Sequence, residues 1–116
     1  MKPAAKNLFA AASLSTGSTD GEDVLPLLDS PHLRIERIVS NGQCSPPDFW
    51  YDQMQDEWVV LLRGSATLEF EDRQLVGLAA GDYLLIERHV RHRVDKTSSD
   101  ALWLAVHYEH GNAAGV

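Results

Sequence analysis

The sequence predicts an all-β fold, a single-domain jelly-roll β-barrel preceded by a short helical or flexible N-terminal segment. Three observations predict it. Beyond about residue 24 the apolar residues fall in short runs with no helix-length periodicity. Turn-forming stretches separate these runs at close spacing: Arg63-Gly64-Ser65, Glu71-Asp72-Arg73 and Ala80-Gly81-Asp82. A chain of 116 residues has enough apolar material for one core and too little for two.

Residues 1–23 read as a segment separate from the barrel. Lys6 to Ala12 are good helix formers, which suits one short helix, and Ser13 to Asp23 (SLSTGSTDGED) has the composition of a flexible linker. The barrel occupies 24–110 and a short tail 111–116. Candidate strands are Leu33 to Val39, Phe49 to Gln53, Glu57 to Leu62, Ala66 to Glu71, Gln74 to Leu78, Tyr83 to Ile86, His92 to Val94 and Leu102 to Tyr108. Many short strands favour closure or a double sheet, because either disposes of edges that would otherwise aggregate.

Charge and cysteine usage narrow the partners. With 10 Lys and Arg against 17 Asp and Glu, the net charge of -7 disfavours nucleic acid and anionic membrane surfaces as partners. Cys44 is the only cysteine, so no disulfide can form within the chain and a cytoplasmic location is expected. The apolar run Leu8 to Leu14 is short for a signal peptide, contains Ser13 and lacks a convincing cleavage site. No stretch has the length of apolar residues that a membrane span needs.

Two segments carry candidate chemistry. In the first, from Gly42 to Gly64, Glu57 is followed by six residues and then Gly64. The second runs from Gly81 to His92 and reads GDYLLIERHVRH. Strand alternation puts Tyr51 and Gln53 on one face, and Glu57, Val59 and Leu61 on one face of the next run. A carboxylate inside a barrel is costly unless donors or a cation compensate it, so an inward Glu57 requires a partner.

In order and separation these segments, within Leu33 to Tyr108, resemble the paired motifs of the cupin superfamily. The first cupin motif reads approximately Gly, five residues, His-x-His, three or four residues, Glu, six residues, Gly. The second reads Gly, five residues, Pro, one residue, Gly, two residues, His. Glu57, Gly64, Gly81 and His92 fall in register. Tyr51 and Gln53 stand where the two histidines belong on the three-residue count, and Trp50 and Asp52 on the four-residue count. Glu87 and His89 replace the Pro and inner Gly of the second motif.

The resemblance implies a divalent metal ion, Fe, Mn, Ni or Zn, held by Gln53, Glu57 and His92. Glu57, His92 and Tyr51 would then be the catalytic set, with Tyr51 also donating a hydrogen bond that positions substrate. Isomerisation, decarboxylation and oxygenation all fit such a site. Loss of both histidines favours an alternative, a barrel that binds or senses a small molecule without metal. A homodimer is expected in either case, with the apolar last strand (LWLAV) suited to the interface.

Arg88, His89, Arg91 and Arg93 crowd one segment of an acidic chain. Arg91 is the first candidate to fork onto a carboxylate or phosphate of an anionic substrate, against the alternative of a solvated face. Phe49, Trp50, Trp58 and Trp103 read as core or interface before they read as a stacking platform. His107 shares a strand face with Trp103 and Ala105 and is an additional pocket candidate. Cys44 has no base nearby in sequence, which argues against a nucleophilic role.

Overall fold

The computed structural model describes residues 2–10, 22–42 and 44–110. Among them are the strands β1 (Glu22–Ser30), β2 (Leu33–Ser40), β3 (Asp56–Arg63), β4 (Ser65–Phe70), β5 (Leu75–Ala79), β6 (Tyr83–Ile86), β7 (His92–Thr97) and β8 (Leu102–Tyr108). They form a five-stranded sheet, β1-β2-β8-β3-β6, facing a three-stranded sheet, β5-β4-β7, with every pairing antiparallel. The all-β double sheet is the architecture that the short, closely spaced runs predict.

Gly64 and Gly81 make the fold close. The chain leaves the five-stranded sheet after β3, turns at Gly64 and enters the other sheet as β4; after β5 it returns through Gly81 to β6. Gly64 is therefore a corner between sheets and not the tip of a hairpin. Its φ of 85° lies in the left-handed region, and a Cβ there would sit 2.9 Å from Asp100 Oδ1, 3.0 Å from Ala101 Cα and closer still to Ser98 Oγ. The turn at Glu71-Asp72-Arg73 is a true hairpin, closed by Phe70 N donating to Gln74 O at 2.9 Å.

Between the sheets lies an apolar core of Val59, Leu61, Ala66, Leu68, Leu78, Ile86, Ala101, Trp103 and Ala105. Leu61 and Leu102 have no exposed surface, and burial of a side chain of that size contributes about 1.5–3 kcal/mol. Alternation sends Glu57, Val59 and Leu61 inward from β3, and Trp103, Ala105 and His107 inward from β8. The opposite face of the five-stranded sheet is also apolar. Leu28, Ile35, Val106, Trp58 and Leu85 lie in register across all five strands.

Several expectations need correction. Strand β1 covers Glu22–Ser30, where the sequence reading placed a linker up to Asp23 and no strand beyond it. Pro26 hides the pattern: it cannot donate to a ladder, and the register slips between Pro26 and Leu28, both tolerated on an edge. Phe49 to Gln53 is not a strand; Tyr51 makes a single bridge to His92. Residues 2–10 hold no helix but a turn in which Asn7 Oδ1 accepts from Phe9 N at 2.8 Å. The remainder of the proposed helix, residues 11–12, lies outside the described residues, as do 13–21 and the 111–116 tail. Strand β8 is central, between β2 and β3, with Leu102, Trp103 and Ala105 buried inside the chain. Of LWLAV, only Leu104 and Val106 remain to face a partner.

Candidate functional site: a pocket between Glu57 and His92

A cavity of about 120 Å³ opens into the barrel between the two sheets. Its wall is mixed. Ile38, Val59, Leu68, Ile86, Val94 and Trp103 supply an apolar lining, and Ser40, Tyr51, Gln53, Glu57, His92 and His107 supply the polar groups.

Glu57 enters from β3 and His92 from the first residue of β7, so the two sheets each contribute one group. His92 Nε2 lies 3.9 Å from Glu57 Oε1, and the side chains are 6% and 11% exposed. His92 Nδ1 donates to the Val90 carbonyl at 2.9 Å, and because a carbonyl can only accept, the neutral ring presents its Nε2 lone pair to the cavity. Burial pulls the His92 pKa below the ordinary imidazole value, partly offset by that hydrogen bond, so the ring is neutral at pH 7.

Tyr51 is fixed against His92 twice. Their backbones exchange two hydrogen bonds, Tyr51 N to His92 O at 2.7 Å and His92 N to Tyr51 O at 3.2 Å, and their rings stack at 5.4 Å. The bridge orients the stretch so that Tyr51 and Gln53 line the cavity. Trp50 and Asp52 point away: Trp50 lies under the Arg91 guanidinium at 5.9 Å, and Asp52 pairs with His89 at 2.8 Å. Of the two registers the sequence left open, the structure has Tyr51 and Gln53 inward. His89 adopts φ 64°, the left-handed conformation that accounts for a glycine at this point of the cupin motif, and its N–H donates to Gln53 O at 2.8 Å.

A second carboxylate–imidazole pair adjoins the first. His107, inward from β8, is the cross-strand neighbour of Glu57, and its Nε2 faces Glu36 Oε1 at 3.3 Å. Burial holds the His107 pKa below the ordinary value, and Arg34 adds to the effect while Glu36 opposes it. Arg34 Nε is 3.0 Å from Glu36 Oε2 but off the hydrogen-bonding direction. Sequence reasoning singled out His107 and missed Glu36. The available signal was the alternation of Arg34, Glu36, Ile38 and Ser40 on one face of β2, which reads equally well as a solvated face.

The arginines of the second motif are engaged elsewhere. Arg91 does not line the cavity; it pairs with Glu71 at 3.2 Å beside a separate surface groove. Arg93 bonds Glu69 Oε1 at 3.0 Å and the Ser45 carbonyl at 2.7 Å, tying β7 to β4 and to the loop before Tyr51.

The donor set does not match the expected metal centre. Among the described residues, no group of three or more His, Cys, Asp and Glu is placed to hold one ion. Glu57 and His92 supply two donors, and the third would be the Gln53 amide oxygen, whereas catalytic zinc sites draw three donors from imidazole, thiolate and carboxylate.

Comparison with known proteins agrees with this fold. The Cupin domain profile matches residues 36–107, and the chain belongs to the cupin family. A solved structure from Ralstonia eutropha JMP134, named a "putative mannose-6-phosphate isomerase", is 47% identical with a TM-score of 0.83, covering 93% of this chain and 100% of that one. A cupin superfamily protein from Desulfitobacterium hafniense DCB-2 is 19% identical, with a TM-score of 0.70 over 85% of this chain and 87% of that one. An RmlC-like cupin with a double-stranded β-helix fold from Methanocaldococcus jannaschii is 20% identical, with a TM-score of 0.65 over 84% and 88%. No protein with a curated description matches. Among the described residues, no helix is long and apolar enough to cross a membrane.

Proposed function

We propose that the barrel cavity binds a small hydroxycarbonyl compound and isomerises it by acid–base transfer between Glu57 and His92. One observation carries the reading: a buried carboxylate and a buried neutral imidazole with an inward lone pair face each other across 3.9 Å. Glu57, acting as the base, takes the proton from the carbon bearing the hydroxyl, and the C–H electron pair forms the carbon–carbon double bond of an enediolate. His92 Nε2 takes the proton of that hydroxyl and delivers it to the former carbonyl oxygen. Glu57 returns its proton to the former carbonyl carbon, and the new carbonyl closes with no net gain or loss of protons. Tyr51 and Gln53 hold the oxygens in place. Isomerisation is preferred to decarboxylation or oxygenation because it needs only the groups the cavity supplies, and the name of the Ralstonia relative points the same way.

A second reading, a non-catalytic small-molecule binder, is favoured by the short donor set at the metal-motif positions. Deuterium incorporation from D2O, followed by NMR with glyceraldehyde and dihydroxyacetone as probes, separates the two. Isomerisation predicts exchange by the native protein and at least about a hundredfold loss in Glu57→Gln. Probes that bind without exchanging support the binder. Exchange that is lost on dialysis against chelator and restored by Fe, Mn, Ni or Zn would return the site to metal chemistry. A cytoplasmic location accords with Cys44, which is exposed as a free thiol.

A further inference from the structure

We propose that Arg93, which does not line the cavity, is a positioning residue for it: from the outer face of the smaller sheet it sets where Tyr51 stands against His92. Only the expected effect on binding rests on the cavity being the ligand site, as proposed above; the placement of Tyr51 does not.

Gly42 and residues 44–53 run antiparallel to β7, along the edge opposite β4, without forming a strand. Gly42 N donates to Ser98 O at 3.0 Å, Ser45 N to Val94 O at 2.8 Å, Tyr51 N to His92 O at 2.7 Å and His89 N to Gln53 O at 2.8 Å. Between the Ser45 and Tyr51 contacts the two chains fall out of step. Five residues, Pro46 to Trp50, separate Ser45 from Tyr51, and a single residue, Arg93, separates Val94 from His92. No ladder spans that difference: Phe49 N turns back to Pro46 O at 3.1 Å, and Asp48 adopts φ 66°. The backbone of Tyr51 thus meets β7 in one isolated bridge, which specifies register weakly because no neighbouring pair fixes it.

Arg93 supplies with its side chain what the ladder lacks. His92 and Val94 face the cavity, so alternation turns Arg93 to the outer face, where its cross-strand neighbour Glu69 accepts from Nη1 at 3.0 Å. Nη2 reaches past the strand edge to the carbonyls of Ser45 at 2.7 Å and Pro46 at 3.4 Å. The planar guanidinium fixes both directions together: one nitrogen is anchored to β4, and the other sets how the five extra residues leave β7. The side chain is 14% exposed, so water competes little for these bonds. The ends of the segment have their own ties. Ser45 Oγ accepts from Val94 N at 3.0 Å, and Asp52 pairs with His89 at 2.8 Å. Removal of the fork therefore frees the stretch that leads into Tyr51 and leaves its ends attached.

The ring protons of His92 report the placement directly, because the Tyr51 ring stacked at 5.4 Å shifts their NMR resonances. Tyr51→Leu defines the unstacked value. Arg93→Gln is expected to move the resonances at least about half of the way to it, and Arg93→Lys, which keeps the charge beside Glu69 but not the fork, to fall in between. Lys96→Gln, an equal loss of charge at an exposed position of the same strand, should leave them in place. Chymotrypsin should cut after Phe49 or Trp50 at least about fivefold faster in Arg93→Gln than in the native protein. Dihydroxyacetone titrated against the same resonances should bind at least about threefold more weakly in that variant. Native resonances and native cleavage in Arg93→Gln overturn the inference, as does full rescue by lysine, which would reduce Arg93 to a counter-charge for Glu69. If Arg93→Gln does not fold, native resonances in Arg93→Lys overturn it in the same way. If dihydroxyacetone does not bind the native protein, the reading of the cavity as its site falls, and the His92 resonances still decide the role of Arg93.

Discussion

His92 and Glu57 come from opposite sheets and meet across 3.9 Å inside the barrel, with Tyr51 bridged to His92 and His107 paired in register with Glu57. The encounter is built by the topology. Glu57 sits near the start of β3, and His92 begins β7, so both lie at the same end of the barrel. Moving either strand by one residue would turn its side chain out of the cavity.

The two buried imidazoles make stability depend on pH. His92 and His107 both have folded-state pKa values below the ordinary 6.5. The unfolded chain therefore binds more protons once the pH falls below 6.5, and stability is full above that value and declines through the folded-state pKa values. Urea midpoints should fall between pH 7.5 and 5.5, and His92→Gln and His107→Gln should each flatten the slope. Asp56 behaves differently: burial raises its pKa, but the Arg88 N–H and His110 outweigh it and the net shift is downward. Its contribution is lost only on a separate acid limb, as the pH falls from about the ordinary carboxylate value of 3.8 through its lowered folded value.

Gly64→Ala should damage the fold more than any alanine substitution at an exposed turn. The new Cβ meets Asp100, Ala101 and Ser98 at a left-handed backbone position. A cost of about 2–5 kcal/mol combines strain and overpacking, and thermal melting should drop by at least about 10 °C.

Arg37 fastens the N-terminal segment to the barrel. Its Nη1 donates to the carbonyls of Leu8 at 3.1 Å and Ala10 at 2.9 Å, and the residue is buried. In Arg37→Ala, trypsin should cleave after Lys6 several times faster, while barrel stability changes by about 1 kcal/mol or less. Unchanged cleavage would mean that other contacts hold the segment.

The apolar row Leu28, Ile35, Val106, Trp58 and Leu85 is the surface through which we expect two copies to pair. Val60, on the same outward face of β3, is placed to test it. Sedimentation should give a dimer for the native chain and a monomer for Val60→Asp. A native monomer at micromolar concentration would remove the expectation.

Much of the barrel was legible because its strands are short, apolar and punctuated at Gly64, Arg73 and Gly81, all of which adopt positive φ. Strand β1 was not, since an edge strand tolerates Pro26 and a register slip that erase the alternation. Glu57 and His92 were findable from spacing, because each lies at a fixed distance from a glycine that turns the chain. The inward side of Tyr51 and Gln53 was undecidable from counting, because the stretch is held by one bridge and not by a ladder. Glu36 was invisible for a different reason: only the long-range pairing of β2 with β8 brings it to His107.

The place of β8 at the centre of the larger sheet has a consequence for how the chain is made. Until Leu102–Tyr108 has left the ribosome, β1-β2 and β3-β6 are two pairs with no ladder joining them, and the strand that fuses them arrives after all the others described. A nascent chain stalled before that point carries unpaired edges on both β2 and β3 and the unroofed apolar interior, the features that recruit chaperones and drive misassembly.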